Sequence, residues 1–452
     1  MSSVRSPLLA VGTIVSVLLV GAGCGHDERS GRPPDVVVVM LDTLRPDHLE
    51  LFGYERDTAP FLAELGARGL VFERALSTSG WTPPATASLV TGLYPERHGV
   101  LSGVAADDHV AELLKSGAPA AIPVVKLPTE YPTLAERFHA AGYATYGVVA
   151  NVHINSIAGH ARGFDRFEQH RDADARQLAE VLAGFLADAD DERPRFVYLH
   201  LMDMHQPYHQ RAPWYAPRPG PLGNHEAAYD SGISFADEAL RGMYERFGWA
   251  DHTVMCVVSD HGEGFGEGGL VGHGPSLSWV VNRCVMLFSG TGVEPGRVHA
   301  SVSLVDVVPT LLELAGQPPP EGLDGRSLLP LADPAGRAAA EAEAAARPMF
   351  AHRRHRPPIL HRFLWSVVLG RWKLIHDEVD GRSQLYDIDA DPHEEHDVSA
   401  TSPALVAQLS ELRRVQASRG VAGGGGEVEL QLDAGLLEDL RALGYAGGDG
   451  DH

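Results

Sequence analysis

Cysteine is scarce in this sequence, which contains three cysteines among 452 residues. Cys256 and Cys284 stand in apolar runs typical of buried strands, and Cys24 lies close to the N-terminus. No pair has the Cys-x-x-Cys spacing of a zinc finger or a thiol redox motif. The sequence therefore excludes a fold built around cysteine-bound zinc, and it leaves a disulfide between Cys256 and Cys284 open.

Positive charge is also in short supply. The chain has 37 lysines and arginines against 60 aspartates and glutamates, which gives a formal net charge of −23. This acidic balance argues against nucleic-acid binding through a basic surface. An anionic substrate would have to be attracted locally, by a metal ion or by arginine and histidine side chains. Because 44% of the residues are hydrophobic, a large core is possible and global disorder is not expected.

The N-terminal apolar run, residues 8–20, is too short for an ordinary membrane-spanning helix. It follows Arg5 and precedes small residues and Cys24, which is the layout of an export signal. We predict a signal peptide at residues 1–23, with Cys24 lipidated after cleavage as in bacterial lipoproteins, so that the protein is exported and anchored to the bacterial cell envelope. Gly21 departs from the lipoprotein pattern, which prefers leucine there. Export without lipid and an uncleaved anchor are the alternatives.

From residue 35 onward, apolar β-branched runs alternate with helical patterns. Residues 35–41 form a continuous apolar run typical of a central parallel strand that is buried on both faces. Further strands are predicted at residues 70–75, 143–150, 196–201, 253–258 and 284–288, and helices at 60–68, 133–141, 174–187, 229–247 and 304–315. This alternation predicts an α/β fold with a mostly parallel central sheet and helices on both faces.

The pattern changes after about residue 335, where short strands and turn signals predict a small C-terminal α+β subdomain with a short antiparallel sheet. Its strands are predicted at residues 363–370, 371–376 and 384–388, and its helices at 403–416 and 436–443. We therefore predict a tether at 24–34, a catalytic domain at 35–335 and the subdomain at 350–452, with an excursion loop at 101–130.

Residues 80–92, with the sequence GWTPPATASLVTG, predict the start of a helix beside a reactive hydroxyl. Pro83 and Pro84 suit the first turn of a helix, which places Thr82 just before the helix N-terminus. That end of a helix favours anions. A metal ion near Thr82 would activate its hydroxyl as a nucleophile. The alternative is that Thr82 only caps the helix.

Acidic residues and histidines follow three of the predicted strands. These are Asp42, the pair Asp203 and His205, and the pair Asp260 and His261. Because ligands bind beyond the carboxyl ends of strands in such sheets, these side chains are expected to converge. With Thr82 they would suit a divalent ion such as Mn²⁺, Zn²⁺ or Mg²⁺. Asp42 as a simple turn residue is the alternative, and a second metal site at Asp203 and His205 lacks a third ligand with convincing spacing.

Several motifs, in order along the chain, resemble the sulfatase family within the alkaline phosphatase-like superfamily. They are VVVVMLDTLRPDHLELFGY, TPPATASLVTG, YLHLMDMHQPY, VVSDHGEGFGEGGLVGHG and LYDIDADPHEEHDV. The resemblance implies one divalent metal ion, held by ligands Asp42, Asp260 and His261, with Thr82 bridging the ion and a small anionic ester substrate. It implies that His205 and His273 contact the substrate or donate a proton.

The chain departs from the family pattern at its most reactive positions. Thr43 stands where many sulfatases have a second metal-binding aspartate, which favours a transition metal over Ca²⁺. Thr82 occupies the position of the cysteine or serine that ordinary sulfatases oxidise to formylglycine, and oxidation of threonine would give a ketone. Ala85 and Thr86 replace the usual serine and arginine, and His273 replaces a lysine.

Threonine at the nucleophile position resembles the phosphodiesterase and phospholipid head-group transferase branches. We therefore predict a metal-dependent hydrolase or transferase that acts on phosphate or sulfate esters through Thr82. The alternatives are a sulfatase that works without formylglycine and a catalytically silent, lipid-anchored binding protein.

Three weaker features remain. A basic cluster consists of His352, Arg353, Arg354, His355 and Arg356. It either flanks the cleft and attracts an anion or forms a solvated loop. The glycine-rich run after His261 is predicted to allow close backbone approach, and His98 is a weak candidate for the site.

Overall fold

The computed structural model describes residues 32–103, 120–171, 173–188, 192–355, 362–420, 426–432 and 435. The predicted signal peptide, Cys24, Arg356 and the predicted helix at 436–443 lie outside these residues. The described residues from Pro33 onward belong to one compact unit. Among them, no helix combines the length and the apolar character needed to cross a membrane.

The secondary structure elements are numbered here in chain order. The strands β1–β17 are Asp35–Leu41, Gly69–Leu76, Ala120–Val125, Ala144–Val149, Arg166–Gln169, Arg195–Leu201, Thr253–Val258, Gly264–Phe265, Val271–Gly272, Arg283–Cys284, Met286–Gly290, Gly296–Ser303, Met349–His355, Arg362–Leu369, Trp372–Asp377, Ser383–Asp387 and Glu427–Leu432. The helices α1–α11 are Pro60–Ala67, Thr82–Thr91, Pro95–His98, Leu134–Ala140, Ala175–Ala187, Gly223–Arg246, Trp279–Asn282, Val307–Leu314, Leu329–Ala332, Arg337–Ala345 and Pro403–Ala417.

Strand β1 lies in the middle of a central sheet with the order β10-β2-β11-β7-β1-β6-β4-β5, and β12 pairs with β2. Strands β6 and β7 flank β1 and run parallel to it, and β4 and β5 extend the parallel side. Strand β11 runs antiparallel between β7 and β2. The predicted α/β fold with a mostly parallel sheet is confirmed.

Helices cover both faces of this sheet, which explains the continuous apolar run in β1. Val37 and Val39 pack in one core with helices α1, α5 and α6. Val36 and Val38 pack in a second core with helices α2, α4 and α8. Because alternate side chains of a strand point to opposite faces, every valine of β1 is buried.

A second sheet of antiparallel strands has the order β13-β14-β15-β16 and packs against α11. The predicted small antiparallel sheet is therefore confirmed, while the division into two domains stays a prediction. Strand β13 contains most of the basic cluster, so the interpretation of that cluster as a solvated loop is wrong. His352 and Arg353 are buried, because the segment after β2 covers the strand and the His352 N–H donates to the Thr78 carbonyl over 2.9 Å.

Several other boundaries differ from the predicted ones. The strand predicted at 284–288 is interrupted, forming β10 and β11, and Cys256 and Cys284 are free thiols. The helix predicted from residue 304 starts with the 3-10 turn Leu304–Asp306 and continues as α8. The predicted excursion loop at 101–130 contains β3, which pairs antiparallel with β17 from near the other end of the chain; residues 104–119 lie outside the described part.

Candidate active site

Two strand ends and one helix start meet at the carboxyl edge of the parallel strands. Asp42 follows β1, Asp260 and His261 follow β7, and Thr82 is the first residue of α2. A carboxylate oxygen of each aspartate and a ring nitrogen of His261 lie within 4.8 Å of one another. The Thr82 hydroxyl oxygen lies 3.5 Å from Asp42 Oδ2 and 3.3 Å from His261 Nε2. The structure thus brings together the four residues predicted for the metal site, Asp42, Thr82, Asp260 and His261, and these four candidate ligands are termed the metal cluster.

The two carboxylate oxygens of Asp42 have different surroundings. Oδ2 accepts hydrogen bonds from Asn151 Nδ2 over 2.7 Å and from His200 Nε2 over 2.9 Å, and the Thr82 hydroxyl is a third, longer donor at 3.5 Å. Oδ1 has no hydrogen-bond partner among the described residues. Burial would raise the pKa of Asp42, but the His200 hydrogen bond and the nearby His205 ring hold that pKa below its usual range. A buried, unpaired carboxylate oxygen is costly unless a cation meets it.

Asp260 shows the same division between its two oxygens. Oδ1 accepts hydrogen bonds from the backbone N–H groups of Thr43 over 3.1 Å and His261 over 2.9 Å. Oδ2 has no hydrogen-bond partner among the described residues. Thr43 has a φ of 58°, a left-handed conformation that a β-branched residue rarely adopts. In this conformation Thr43 contacts Asp260 through its backbone N–H, and not through its side chain.

The donor set fits a divalent metal ion. The Nδ1 atom of His261 lies 2.9 Å from the Gly262 carbonyl, so Nδ1–H donates there and the Nε2 lone pair faces the cluster. With Asp42 Oδ1, Asp260 Oδ2 and the Thr82 hydroxyl, the site offers three oxygens and one nitrogen. Such a set suits Mn²⁺, Zn²⁺ or Mg²⁺ better than Ca²⁺, which takes six to eight oxygen ligands.

The Thr82 side chain is not a helix cap, so that alternative is wrong. Trp81 is the N-cap residue of α2, and no side chain caps this end. The second and third helical positions are Pro83 and Pro84, which have no N–H to offer a capping oxygen. The Ala85 N–H already bonds to the Trp81 carbonyl. The prolines also remove N–H groups that an anion at this helix end could have used, so the predicted anion site depends less on the helix than expected.

Two further histidines stand beside the metal cluster. The rings of His205 and His261 lie 5.3 Å and 4.8 Å, respectively, from the ring of His273. His205 Nδ1 donates to the Gln206 carbonyl, and its buried Nε2 has no hydrogen-bond partner among the described residues. His273 Nδ1 lies 3.2 Å from Oε1 of the buried Glu263. Burial lowers the pKa of the His273 ring, while the Glu263 carboxylate opposes that shift.

Asp203 does not form a second metal site with His205. Its carboxylate lies 2.9 Å from Arg211 Nη2 and accepts the Ala175 N–H, at the start of α5, over 3.1 Å. Burial raises the pKa of Asp203 to about 7, against the lowering effect of Arg211. The hypothesis of a metal ligand at Asp203 is therefore wrong, because its oxygens are already engaged by a helix end and an arginine.

His98 also lies outside the metal cluster. Its Nε2 atom lies 3.0 Å from the Ser88 hydroxyl, and its Nδ1 atom accepts the Val100 N–H over 3.1 Å. His98 therefore links α2, through Ser88, to the turn that follows α3. Gly262 shows the predicted close backbone approach, because a Cβ atom at this position would overlap the Val280 carbonyl.

Arg353 links the second sheet to the site. Its guanidinium lies over the Trp81 ring at 4.5 Å, and its Nε donates to the Gly274 carbonyl over 3.3 Å. Trp81 directly precedes Thr82, and Gly274 directly follows His273. Part of the basic cluster therefore contacts both reactive segments, as one of the two interpretations expected.

A family model described as Sulfatase matches residues 34–317, which is more than half of the chain. The chain belongs to the sulfatase family. A second model, described as N-sulphoglucosamine sulphohydrolase, C-terminal, matches residues 284–417 of this sulfatase. The predicted family is thereby confirmed, and with it the class of ester hydrolase.

Two distant relatives match over most of their length. Human arylsulfatase A is 25% identical over 444 residues, which cover 84% of this chain and 82% of that protein. N-acetylgalactosamine-6-sulfatase from Canis lupus familiaris is 23% identical and covers 71% of this chain and 70% of its own. The solved phosphonate monoester hydrolase of Agrobacterium radiobacter has a TM-score of 0.66 at 18% identity, covering 86% of this chain and 96% of its own, which is a likeness of fold.

Sequence patterns missed three residues beside the metal cluster of this sulfatase. Asn151 and His200 contact Asp42, and His153 lies with its ring 5.5 Å from the Trp81 ring. Burial lowers the pKa of His153 to about 3. Asn151 lies just beyond the end of β4, so the rule that found Asp42 could also have found it. His200 lies inside β6 and gave no such signal.

Proposed function

We propose that this sulfatase-family hydrolase acts on phosphate or sulfate esters, with unmodified Thr82 as its nucleophile and one divalent metal ion as its cofactor. The observation that carries the proposal is the position of the Thr82 hydroxyl. It is buried, 3.3 Å from His261 Nε2 and 3.5 Å from Asp42 Oδ2, and no helix N–H uses it as a cap. When bound by Asp42, Asp260 and His261, a divalent ion would lower the hydroxyl pKa and neutralise charge on the ester group.

Thr82 would act by covalent catalysis. Its oxygen attacks the phosphorus or sulfur atom, the bond to the leaving oxygen breaks, and the group becomes esterified to Thr82. The Cβ of threonine carries a single oxygen and a methyl group, so release needs a second attack on phosphorus or sulfur. Water as the second nucleophile gives hydrolysis, and an alcohol gives transfer.

His205 and His273 are the candidates for protonating the leaving oxygen. Each has its Nδ1 atom engaged, His205 by the Gln206 carbonyl and His273 by Glu263. That arrangement leaves Nε2 of each ring for the substrate. The His273 ring lies beside the rings of both His205 and His261. General acid catalysis of this kind contributes about 10²–10⁴-fold to a rate.

The names of the relatives guide the choice of substrates. Arylsulfatase A and N-acetylgalactosamine-6-sulfatase are named for sulfate esters, and the Agrobacterium enzyme for phosphonate monoesters. A panel of aryl sulfates, sugar sulfates, phosphomonoesters, phosphodiesters and phosphonate monoesters therefore spans the proposed chemistry.

The decisive experiment combines this panel with peptide mass spectrometry of the metal-loaded protein. We expect a phosphorylated or sulfated peptide at Thr82 in rapidly quenched wild-type enzyme. Thr82→Ala is expected to lose about 10³-fold or more in turnover, or about 4 kcal/mol in the barrier, far more than the ~1 kcal/mol of a lost helix cap. Thr82→Ser should keep part of the activity.

Thr91→Ala is the matched control, because Thr91 lies at the other end of the same helix and its hydroxyl donates to the Ala87 carbonyl of that helix. This variant is expected to keep wild-type turnover. A folded Thr82→Ala variant with near-wild-type turnover would refute the role of Thr82.

We also infer that the enzyme works outside the cytoplasm, attached to the bacterial envelope by lipid on Cys24. Support comes from Arg5, the short apolar run and the small residues before Cys24. Cys24→Ser is expected to abolish labelling with radioactive palmitate and to release the protein from membranes or leave it unprocessed. Equal labelling of wild type and variant would exclude lipidation at Cys24.

A further inference from the structure

We propose that His200 and Asn151 are positioning residues that occupy Oδ2 of Asp42 and thereby present Oδ1 alone to the metal ion. Through this restriction they would set both the affinity of the site and its preference for a small transition-metal ion over Ca²⁺. The inference rests on the proposed function in one respect, namely that Asp42 is a metal ligand.

The two donors reach Asp42 from neighbouring strands. His200 lies on β6, opposite Met40 of the adjacent β1, and Asn151 lies just beyond β4, which pairs with β6 on its other side. Their nitrogens lie 2.9 Å and 2.7 Å from the same oxygen, Asp42 Oδ2. Asp42 and His200 are fully buried and Asn151 is 1% exposed, so water does not compete for this oxygen.

The orientation of each donor is fixed by its second polar atom. The Asp42 carboxylate can only accept, so the His200 ring carries a proton on Nε2 and donates it to Oδ2. The other ring nitrogen, Nδ1, lies 3.3 Å from the Tyr198 hydroxyl, which holds the ring in this orientation. Asn151 Oδ1 accepts the His153 N–H over 2.8 Å, so the Asn151 amide must turn its NH₂ group toward Asp42. Both side chains are therefore donors to Oδ2 and cannot exchange roles.

The consequence for a metal ion follows from the number of oxygens that remain. The donors that meet Asp42 all lie at Oδ2, and Oδ1 has no hydrogen-bond partner in the described part of the chain. The backbone donors on Asp260 Oδ1 likewise leave only its Oδ2. Each aspartate thus offers one oxygen. This site therefore suits an ion that needs few ligands. Ca²⁺, by contrast, takes six to eight oxygen ligands and often binds a carboxylate through both of its oxygens. Freeing Asp42 Oδ2 would allow binding through both oxygens and would reduce the discrimination.

The test measures metal affinity rather than turnover. His200→Leu removes the donor, and His200→Gln keeps an amide N–H at similar reach. Dissociation constants for Mn²⁺ and Ca²⁺ would be measured by titration calorimetry on the full chain after chelation. We expect His200→Leu to weaken Mn²⁺ binding by about 10–100-fold, the usual effect of losing a residue that hydrogen-bonds to a metal ligand. The ratio of Mn²⁺ to Ca²⁺ affinity should fall in the same variant, and His200→Gln should restore both.

Asn151→Ala removes the other donor and decides the question if His200→Leu does not fold. It is expected to shift affinity and the Mn²⁺ to Ca²⁺ ratio in the same direction. His160→Leu is the matched control, since His160 is another buried histidine and its ring nitrogens have no hydrogen-bond partner among the described residues. This control should leave metal affinity unchanged.

The outcomes separate this inference from the proposed function. A wild-type protein that binds no divalent ion would refute the metal-dependent function itself. Wild-type affinity and an unchanged ion ratio in folded His200→Leu or Asn151→Ala would refute only the positioning role. A loss in His200→Leu that His200→Gln does not restore would also overturn it, because the effect would then come from packing and not from the hydrogen bond.

Discussion

The hydroxyl of Thr82 lies 3.3 Å from the Nε2 atom of His261. No N–H group of helix α2 donates to this hydroxyl, because Pro83 and Pro84 lack the N–H groups that a capping oxygen would bind. His261 in turn has its other nitrogen at the Gly262 carbonyl. The two side chains therefore face each other with their reactive atoms, which is the relationship a shared metal ion would require.

Asp260→Asn should remove the metal ion without unfolding the protein. The amide oxygen of asparagine can still accept the Thr43 and His261 N–H groups that Asp260 Oδ1 accepts. Its NH₂ group then replaces the unpaired Oδ2, and an NH₂ group is no metal ligand. We expect metal affinity to fall by at least about 100-fold, which exceeds the usual loss when a residue that only hydrogen-bonds to a metal ligand is removed. Metal content per chain, by atomic emission after dialysis, is the measurement.

Asp174→Asn is a suitable control for this change. Asp174 caps helix α5 and is not one of the candidate ligands, and asparagine caps helices about as well as aspartate. Unchanged metal stoichiometry in Asp260→Asn would remove Asp260 from the proposed ligands.

The two candidate acids can be separated by the leaving group. An alkyl ester needs a proton on its leaving oxygen, whereas 4-nitrophenolate leaves without one. If His205 is the general acid, His205→Gln should slow an alkyl ester by about 10²–10⁴-fold and a 4-nitrophenyl ester by much less. His273→Gln should then affect the two esters alike. The reverse pattern assigns the role to His273, and an equal loss on both esters in both variants would contradict general acid catalysis by either ring.

The residues closest to the reaction could be predicted because short motifs hold them. Asp42, Asp260 and His261 come shortly after apolar strands, and a parallel sheet brings such strand ends together. The two prolines after Thr82 identified it as the residue at the start of a helix. Nothing local identifies His200, whose side chain meets Asp42 across 158 positions of sequence. It looks like any alternate residue of a buried strand, and only the pairing of β6 with β1 gives it a role.

The misinterpreted parts also depended on distant partners. Arg353 belongs to a strand that is completed by β14 and covered by the segment around Thr78, so its local sequence resembled a solvated basic loop. Asp203 has the strand-end position of a metal ligand, but Arg211 and the start of α5 engage its oxygens. Position in a sheet predicts where a carboxylate lies, and its neighbours decide what it binds.

Arg211→Met should destabilise the fold and leave metal binding unchanged. The buried Asp203 carboxylate lies 2.9 Å from Arg211 Nη2, so removal of Arg211 leaves it with the Ala175 N–H but without a countercharge. Loss of one partner of a buried ion pair typically lowers the free energy of unfolding by about 3–5 kcal/mol. The double variant Arg211→Met, Asp203→Asn should recover part of that loss. Urea unfolding followed by circular dichroism measures both, and a metal content that changes with Arg211 would contradict the structural role of Asp203.

Stability should also depend on pH through Asp237, a buried carboxylate that is not one of the candidate ligands. Its oxygens accept the N–H groups of Phe61 and Leu62 in the first turn of α1, each over 2.9 Å. Burial raises the pKa of Asp237 to about 7, helped by Glu50 and opposed by those N–H groups and Arg241. An aspartate in an unfolded chain has a pKa of about 3.9.

Between about pH 4 and pH 7 the folded protein therefore holds a proton on Asp237 that the unfolded chain has released. The stability contributed by this group is fully present below about pH 4 and is lost as the pH rises through about 7. Asp237→Asn removes the titration. We expect the free energy of unfolding of the wild type, relative to Asp237→Asn, to fall between pH 4.5 and pH 7.5, by at most about 4 kcal/mol. Urea unfolding of both proteins across this range is the measurement, and a difference that stays constant or grows with pH would show that the folded carboxyl is not held protonated.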